Sequence, residues 1–173
     1  PRIRWIRTEG AHRPMASLSS RFVEVTDDAC RREVLLELVG ESRVNRTLIF
    51  TNSVSRVKEV VRLLQEARVP AAAYHPEVPV EARERSLSAF GSCADGVLVC
   101  SGLAARGLDF PEVGLVVQYQ LAPHMLEYVH RVGRTARGGR PGVAVSLFSP
   151  EVRGEVALVR EVERCVRGSW KWV

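Results

Sequence analysis

Two kinds of hydrophobic spacing alternate along the chain. RFVEV (21–25), TLIF (47–50), AAAY (71–74), GVLVC (96–100), LVVQY (115–119) and VAVSLF (143–148) are short apolar runs that read as strands. Between them, residues 28–40, 54–67, 79–90 and 123–137 repeat their apolar positions about every 3.6 residues, the period of a helix buried along one face. Strands joined by helices pair in parallel, because the helix carries the chain back to the starting edge of the sheet. The pattern therefore predicts an open α/β fold, a mainly parallel central sheet flanked by helices.

The ends differ from this core, which is expected to span residues 21–150. Residues 1–20, PRIRWIRTEGAHRPMASLSS, have no sustained period, contain a glycine and two prolines and end in serines, so they read as a linker or extension. Residues 151–167 read as a charged amphipathic helix and SWKWV as a tail, making 151–173 a C-terminal appendage. No internal repeat appears. The chain begins at Pro1 rather than Met, which suggests a segment of a longer polypeptide or a processed chain.

In open parallel sheets, ligands collect beyond the carboxyl ends of the strands. TLIFTNS leaves one strand into polar residues, and GVLVCSGLAARGLDF leaves another through Gly102, Arg106, Gly107 and Asp109. After the next strand comes EYVHRVGRTARGGR (127–140), in which Arg131, Arg134 and Arg137 recur every third residue with His130 beside the first. On a helix these arginines lie close to one face. Two readings stand: guanidinium forks gathered around phosphate oxygens, or a solvated basic helix end favoured by the helix dipole.

Composition changes the picture modestly. A chain of 173 residues, 46% hydrophobic and 26% charged, suffices for one compact domain. A net charge of +5 and a pI near 9.4 favour a polyanionic partner. Lys58 and Lys171 are the only lysines, so arginine carries nearly all the positive charge, through GC-rich coding, an organellar destination or selection for phosphate forks. Cys30, Cys93, Cys100 and Cys165 form no CxxC pair and no ligand spacing, so neither a zinc site nor a disulfide framework is expected. No apolar run approaches the ~20 residues of a bilayer-spanning helix, and no membrane partner is expected.

In combination the motifs become specific. SGLAARGLD (101–109), followed after one strand by YVHRVGRTAR (128–137), resembles the C-terminal RecA-like domain of DEAD-box RNA helicases. FTNS after TLIF and the RERSLSAF helix (83–90) resemble further parts of that domain, and the likeness covers roughly residues 20–150. It implies a RecA-like three-layer fold and ATP bound in a cleft against an N-terminal RecA-like domain of the same protein. That other domain would supply the phosphate loop and the Mg²⁺ ligands, and no metal site is expected in this chain. By the same resemblance Arg134 and Arg137 are arginine fingers on the γ-phosphate, Asp109 holds the ribose, and Arg106 and Gly107 organise the nucleotide loop. His130 and Arg131 make interdomain or internal contacts. Ser101, Arg83 and Asn52 match positions that touch the RNA backbone, and each also has a local reading as a helix cap, a solvated helix residue or a turn residue.

Some positions depart from the family pattern, and they cluster on the RNA side. Ser101-Gly102 stands where Thr-Asp is usual, His75-Pro76-Glu77 where His-Gly-Asp is usual, Val80 for Gln, Gln120 for Asp and Ala136 for Gly. Gly102 is expected to loosen its loop. The resemblance thus implies an ATP-dependent RNA helicase or remodelling ATPase, with an assembly factor that keeps the fold but unwinds poorly as the alternative. It further implies a ribosomal assembly particle as partner; the arginine bias tilts the expected location toward the mitochondrion, with nucleolus and cytoplasm also open. Alone, the segment is expected to hydrolyse no ATP.

Overall fold

The computed structural model describes residues 5–7, 17–41, 46–102 and 113–167. Its elements, in chain order, are β1 (Trp5–Arg7), β2 (Leu18–Glu24), α1 (Asp28–Glu41), β3 (Thr47–Thr51), α2 (Val54–Glu66), β4 (Ala71–Tyr74), α3 (Val80–Ser92), β5 (Val97–Ser101), β6 (Leu115–Gln118), α4 (Met125–Val132), β7 (Gly142–Phe148) and α5 (Glu155–Arg167). The sheet order is β1-β2-β7-β6-β3-β5-β4, with β1 antiparallel to β2 and every other pair parallel.

Period-2 alternation divides the core into two layers. Ile49, Val97, Val99, Val117, Val145 and Leu147 face α1 and α2, where Leu35, Val57, Val60 and Leu64 are fully shielded. Leu48, Phe50, Leu98, Cys100, Val116 and Ala144 face the opposite layer, which α3, α4 and α5 cover with Phe90, Tyr128, Val132, Leu158 and Val162. Tyr128 stacks on Phe22 with ring centroids 5.8 Å apart, and burial pushes its phenol up to about 12.

Helix starts follow local chemistry. Asp27 Oδ1 accepts the Cys30 amide at 2.7 Å, and that bond holds the Asp27 carboxyl below its ordinary range. Ser53 caps α2 by accepting the Arg56 amide, and His124 caps α4 through Nδ1.

Three sequence expectations are revised. Residues 5–7 and 18–20, read as extension, form β1 and open β2, because the unpaired edge of β2 accepts an antiparallel partner. The C-terminal helix starts at Glu155 rather than 151, after a turn fixed by the Ser149 amide on Glu155 Oε2 at 2.7 Å. Helix α4 ends at Val132 instead of running to 137, so Arg134 and Arg137 leave the helix. Gly133 caps it, and Thr135 is drawn into a parallel bridge with Val113.

Candidate functional site

The carboxyl ends of β3, β5 and β6 meet at one buried cluster centred on Arg131, which is 3% exposed. Its Nε donates to Glu127 Oε1 at 3.2 Å, Nη1 to the Gln120 carbonyl at 3.0 Å and Nη2 to Asn52 Oδ1 at 2.8 Å. The guanidinium lies over the Phe50 ring, 5.3 Å from its centroid. Asn52 closes the cluster: its amide N–H donates to Gln120 Oε1 and its Nδ2 to the Leu121 carbonyl, each at 2.9 Å. Arg131 thus directs its donors inward, within the domain, while His130 beside it is exposed.

Beyond the helix end, Arg134 and Arg137 repeat one device. Arg134 Nε donates to the His130 carbonyl at 3.2 Å, and Arg137 Nε to the Gly133 carbonyl at 2.8 Å. Each guanidinium is tied at its root to the turn before it, at the negative end of a helix dipole. Arg131 and Arg134 both lie close enough to Cys100 to draw its thiol pKa down, but complete burial prevails and pushes it well up. Cys100 stays a neutral thiol and is no nucleophile.

The turn carrying these arginines is anchored at the other end of the sheet. Helix α4 runs antiparallel to the strands, and eight residues at ~1.5 Å rise equal the length of a four-residue strand at ~3.3 Å. Thr135, 2% exposed, therefore reaches the start of β6 and donates from Oγ1 to the Val113 carbonyl at 2.5 Å. Ala136 adopts φ +58°, and Ser17 Oγ donates to its carbonyl at 3.3 Å.

On the β4 and β5 side, buried polar atoms stand without partners among the described residues. These are Ser101 Oγ, His75 Nδ1 and Arg83 Nε, with Ser101 6% and His75 3% exposed. Arg83 lies over the Tyr74 ring at 5.8 Å. Desolvation lowers the His75 pKa; Lys58 and Arg83 act in the same direction and Glu77 against it. A hydroxyl, an imidazole and a guanidinium nitrogen beside strand ends suit phosphate oxygens better than a metal, and no group of three or more His, Cys, Asp or Glu side chains able to hold a metal gathers among the described residues.

Of the residues singled out from sequence, Asn52, His130, Arg131, Arg134 and Arg137 gather around α4, and Ser101 and Arg83 sit toward β4 and β5. Arg106, Gly107 and Asp109 lie outside the described residues. Sequence reasoning passed over Glu127 and Thr135. The four-residue step from Glu127 to Arg131 was a visible signal, since such pairs meet on a helix; Thr135 carried none.

A sheet of six parallel strands covered by helices on both faces, with its polar cluster at the strand ends, is a RecA-like domain. A family model of the helicase conserved C-terminal domain matches residues 30–139, and the chain belongs to that family as the C-terminal RecA-like domain of a DEAD-box RNA helicase. The DEAD-box ATP-dependent RNA helicase 22 of rice (Oryza sativa subsp. japonica) is 37% identical over 94% of this chain and 30% of its own length. The yeast DEAD-box splicing factor Prp28 superposes with a TM-score of 0.77 at 30% identity, covering 87% of this chain and 33% of that one. S. cerevisiae Dbp5 bound to RNA and ADP BeF3 superposes with a TM-score of 0.73 at 26% identity, over 86% and 38%. The chain spans 27–37% of the length of the curated relatives compared with it.

Proposed function

We propose that this chain is the half of an ATP-dependent RNA helicase that delivers arginines to the nucleotide and part of the RNA-binding face. The observation that carries the reading is the turn after α4, where Arg134 and Arg137 are each tied by Nε to a carbonyl four residues back. Held at the root, the rest of each guanidinium would be presented to the γ-phosphate when the N-terminal RecA-like domain closes, stabilising charge on the transferring group. Asp109 would accept from the ribose hydroxyls, with Arg106 and Gly107 shaping its loop, and His130, exposed on α4, would face the other domain. Mg²⁺ would be held by that domain.

RNA would be gripped through its phosphates by Ser101 and Arg83, so sequence preference is low. Closure on ATP and RNA together would strain the RNA, and hydrolysis would release it. Alone, the chain hydrolyses no ATP, because one wall of the cleft is missing. The proposed partner is a ribosome-assembly particle, and the arginine-for-lysine composition favours the mitochondrion or another organelle over nucleolus and cytoplasm as its location; co-sedimentation of the tagged full-length protein with particles from each compartment tests it.

The deciding experiment is ATP hydrolysis by the full-length protein with and without RNA, beside Arg134→Ala and Arg137→Ala. Loss of an RNA-stimulated rate by ~10³-fold or more in both variants is expected. One observation favours a second reading, an assembly factor that binds particles without unwinding: both ends of the Asn52 amide are committed to Arg131 and Leu121. A parent protein that binds RNA but hydrolyses no ATP would select it.

A further inference from the structure

Gly102 closes β5 and is buried, its amide donating to the Thr51 carbonyl at 3.3 Å. A Cβ built there would fall into the carboxylate of Glu127 and lie 2.8 Å from Arg131 Nη2. No side chain fits at 102 while Glu127 holds its place. Glu127 and Arg131 are 4% and 3% exposed, so both charges have been taken out of water. Such a pair adds little net stability, and fixing one arrangement among alternatives is the best-attested reason to keep it.

Each nitrogen of Arg131 goes to a different place: α4 through Glu127, the residue following β6 by two through the Gln120 carbonyl, and the β3 end through Asn52. Gly102 brings the end of β5 against the same carboxylate. We propose that Gly102 and Glu127 are a matched pair. The glycine opens the volume into which Glu127 turns, and Glu127 supplies from α4 a carboxylate at the end of β5, where position 102 carries none. Glu127 and Arg131 are thereby positioning residues: they lock the ends of β3, β5 and β6 to the helix that leads into Arg134 and Arg137. Gly102 itself is held between the Thr51 carbonyl and the Glu127 carboxylate. This inference rests on the helicase reading only for its effect on turnover.

The test is a cycle in the full-length protein of Gly102→Asp, Glu127→Ala and the double variant. Gly102→Asp crowds two carboxylates into one volume, and Glu127→Ala removes the carboxylate that accepts from Arg131 Nε; the double variant returns one carboxylate to that volume. Each single change is expected to lower RNA-stimulated kcat about tenfold or more with a smaller change in the KM for ATP, and to lower the melting temperature. The double variant is expected to recover most of both. A double variant no better than the two losses added together would overturn the pairing. Singles that lower the melting temperature but keep kcat per folded molecule would overturn the positioning role. Glu127→Gln, which keeps the shape and removes the charge, takes the place of Glu127→Ala if that variant does not fold. A parent without RNA-stimulated hydrolysis would defeat the helicase reading and the effect on turnover with it, while the melting-temperature cycle would still decide the pairing.

Discussion

The turn that carries Arg134 and Arg137 depends on a fit between Thr135 and Gly142, and this fit can be broken from either side. Thr135 Oγ1 donates to the Val113 carbonyl at 2.5 Å in a site 2% exposed. Thr135→Val keeps the volume and removes the donor, leaving a buried carbonyl short of a partner, at a cost of about 1–3 kcal/mol. Gly142 opens β7 directly beneath the turn: a Cβ there would overlap Thr135 Oγ1 and stand 2.9 Å from Ala136 Cα. Two of the three atoms it meets are backbone, which cannot rotate away, so Gly142→Ala is expected to cost about 1–3 kcal/mol or more by overpacking. Urea unfolding of the 173-residue chain reads both, since with m of about 1–3 kcal/mol/M a loss of about 2 kcal/mol moves the midpoint by about 1 M. The sites touch, so the double variant should lose less than the sum. In the full-length protein the same changes should lower ATP turnover, because Thr135 lies between the two arginines. A Gly142→Ala midpoint equal to that of the parent would refute the packing argument.

Other outcomes follow from the same geometry. Ala136 holds a left-handed φ of +58°, so Ala136→Gly should raise stability by about 0.5–1 kcal/mol, read as a higher urea midpoint. Arg31, 7% exposed, donates to the Tyr119 carbonyl at 2.5 Å and lies over the Tyr119 ring; Arg31→Ala should destabilise by about 2 kcal/mol or more in the same assay. Because burial depresses the pKa of His75, the folded chain binds fewer protons than the unfolded chain as pH falls through about 6.5. Stability present above that pH is therefore lost on acidification toward the folded value, and His75→Gln should flatten the loss between about pH 7.5 and 5.5. Arg56 bridges Asp28 and Glu59 at 2.9 Å on the partly exposed surface between α1 and α2; Arg56→Ala should cost less than about 1 kcal/mol, and the difference should shrink in high salt.

Much of this fold was legible along the chain, because helix and strand periods are local properties. The runs at 47–50, 71–74, 96–100 and 143–148 became β3, β4, β5 and β7 with ends displaced by no more than a residue, and the apolar spacing over 28–40 and 54–67 became α1 and α2. The motifs also determined the family, since ARGLD and HRxGRxxR are strings whose meaning lies in their residues and separation. What tertiary structure alone decided is where distant segments meet. The pairing of β2 with β7 joins Leu18 to Gly142, a contact no period announces, and β1 was invisible because three residues carry no period. A spacing of three made Arg131, Arg134 and Arg137 look like one helical face, but the bridge between Thr135 and Val113 draws the chain off the helix. The three arginines part company as a result: Arg131 is buried in an ion pair, and the other two stand on a turn. The space beside Gly102 illustrates the same point: the side chain that fills it arrives from another element, and sequence records spacing along a chain while occupied volume exists only once the chain has folded.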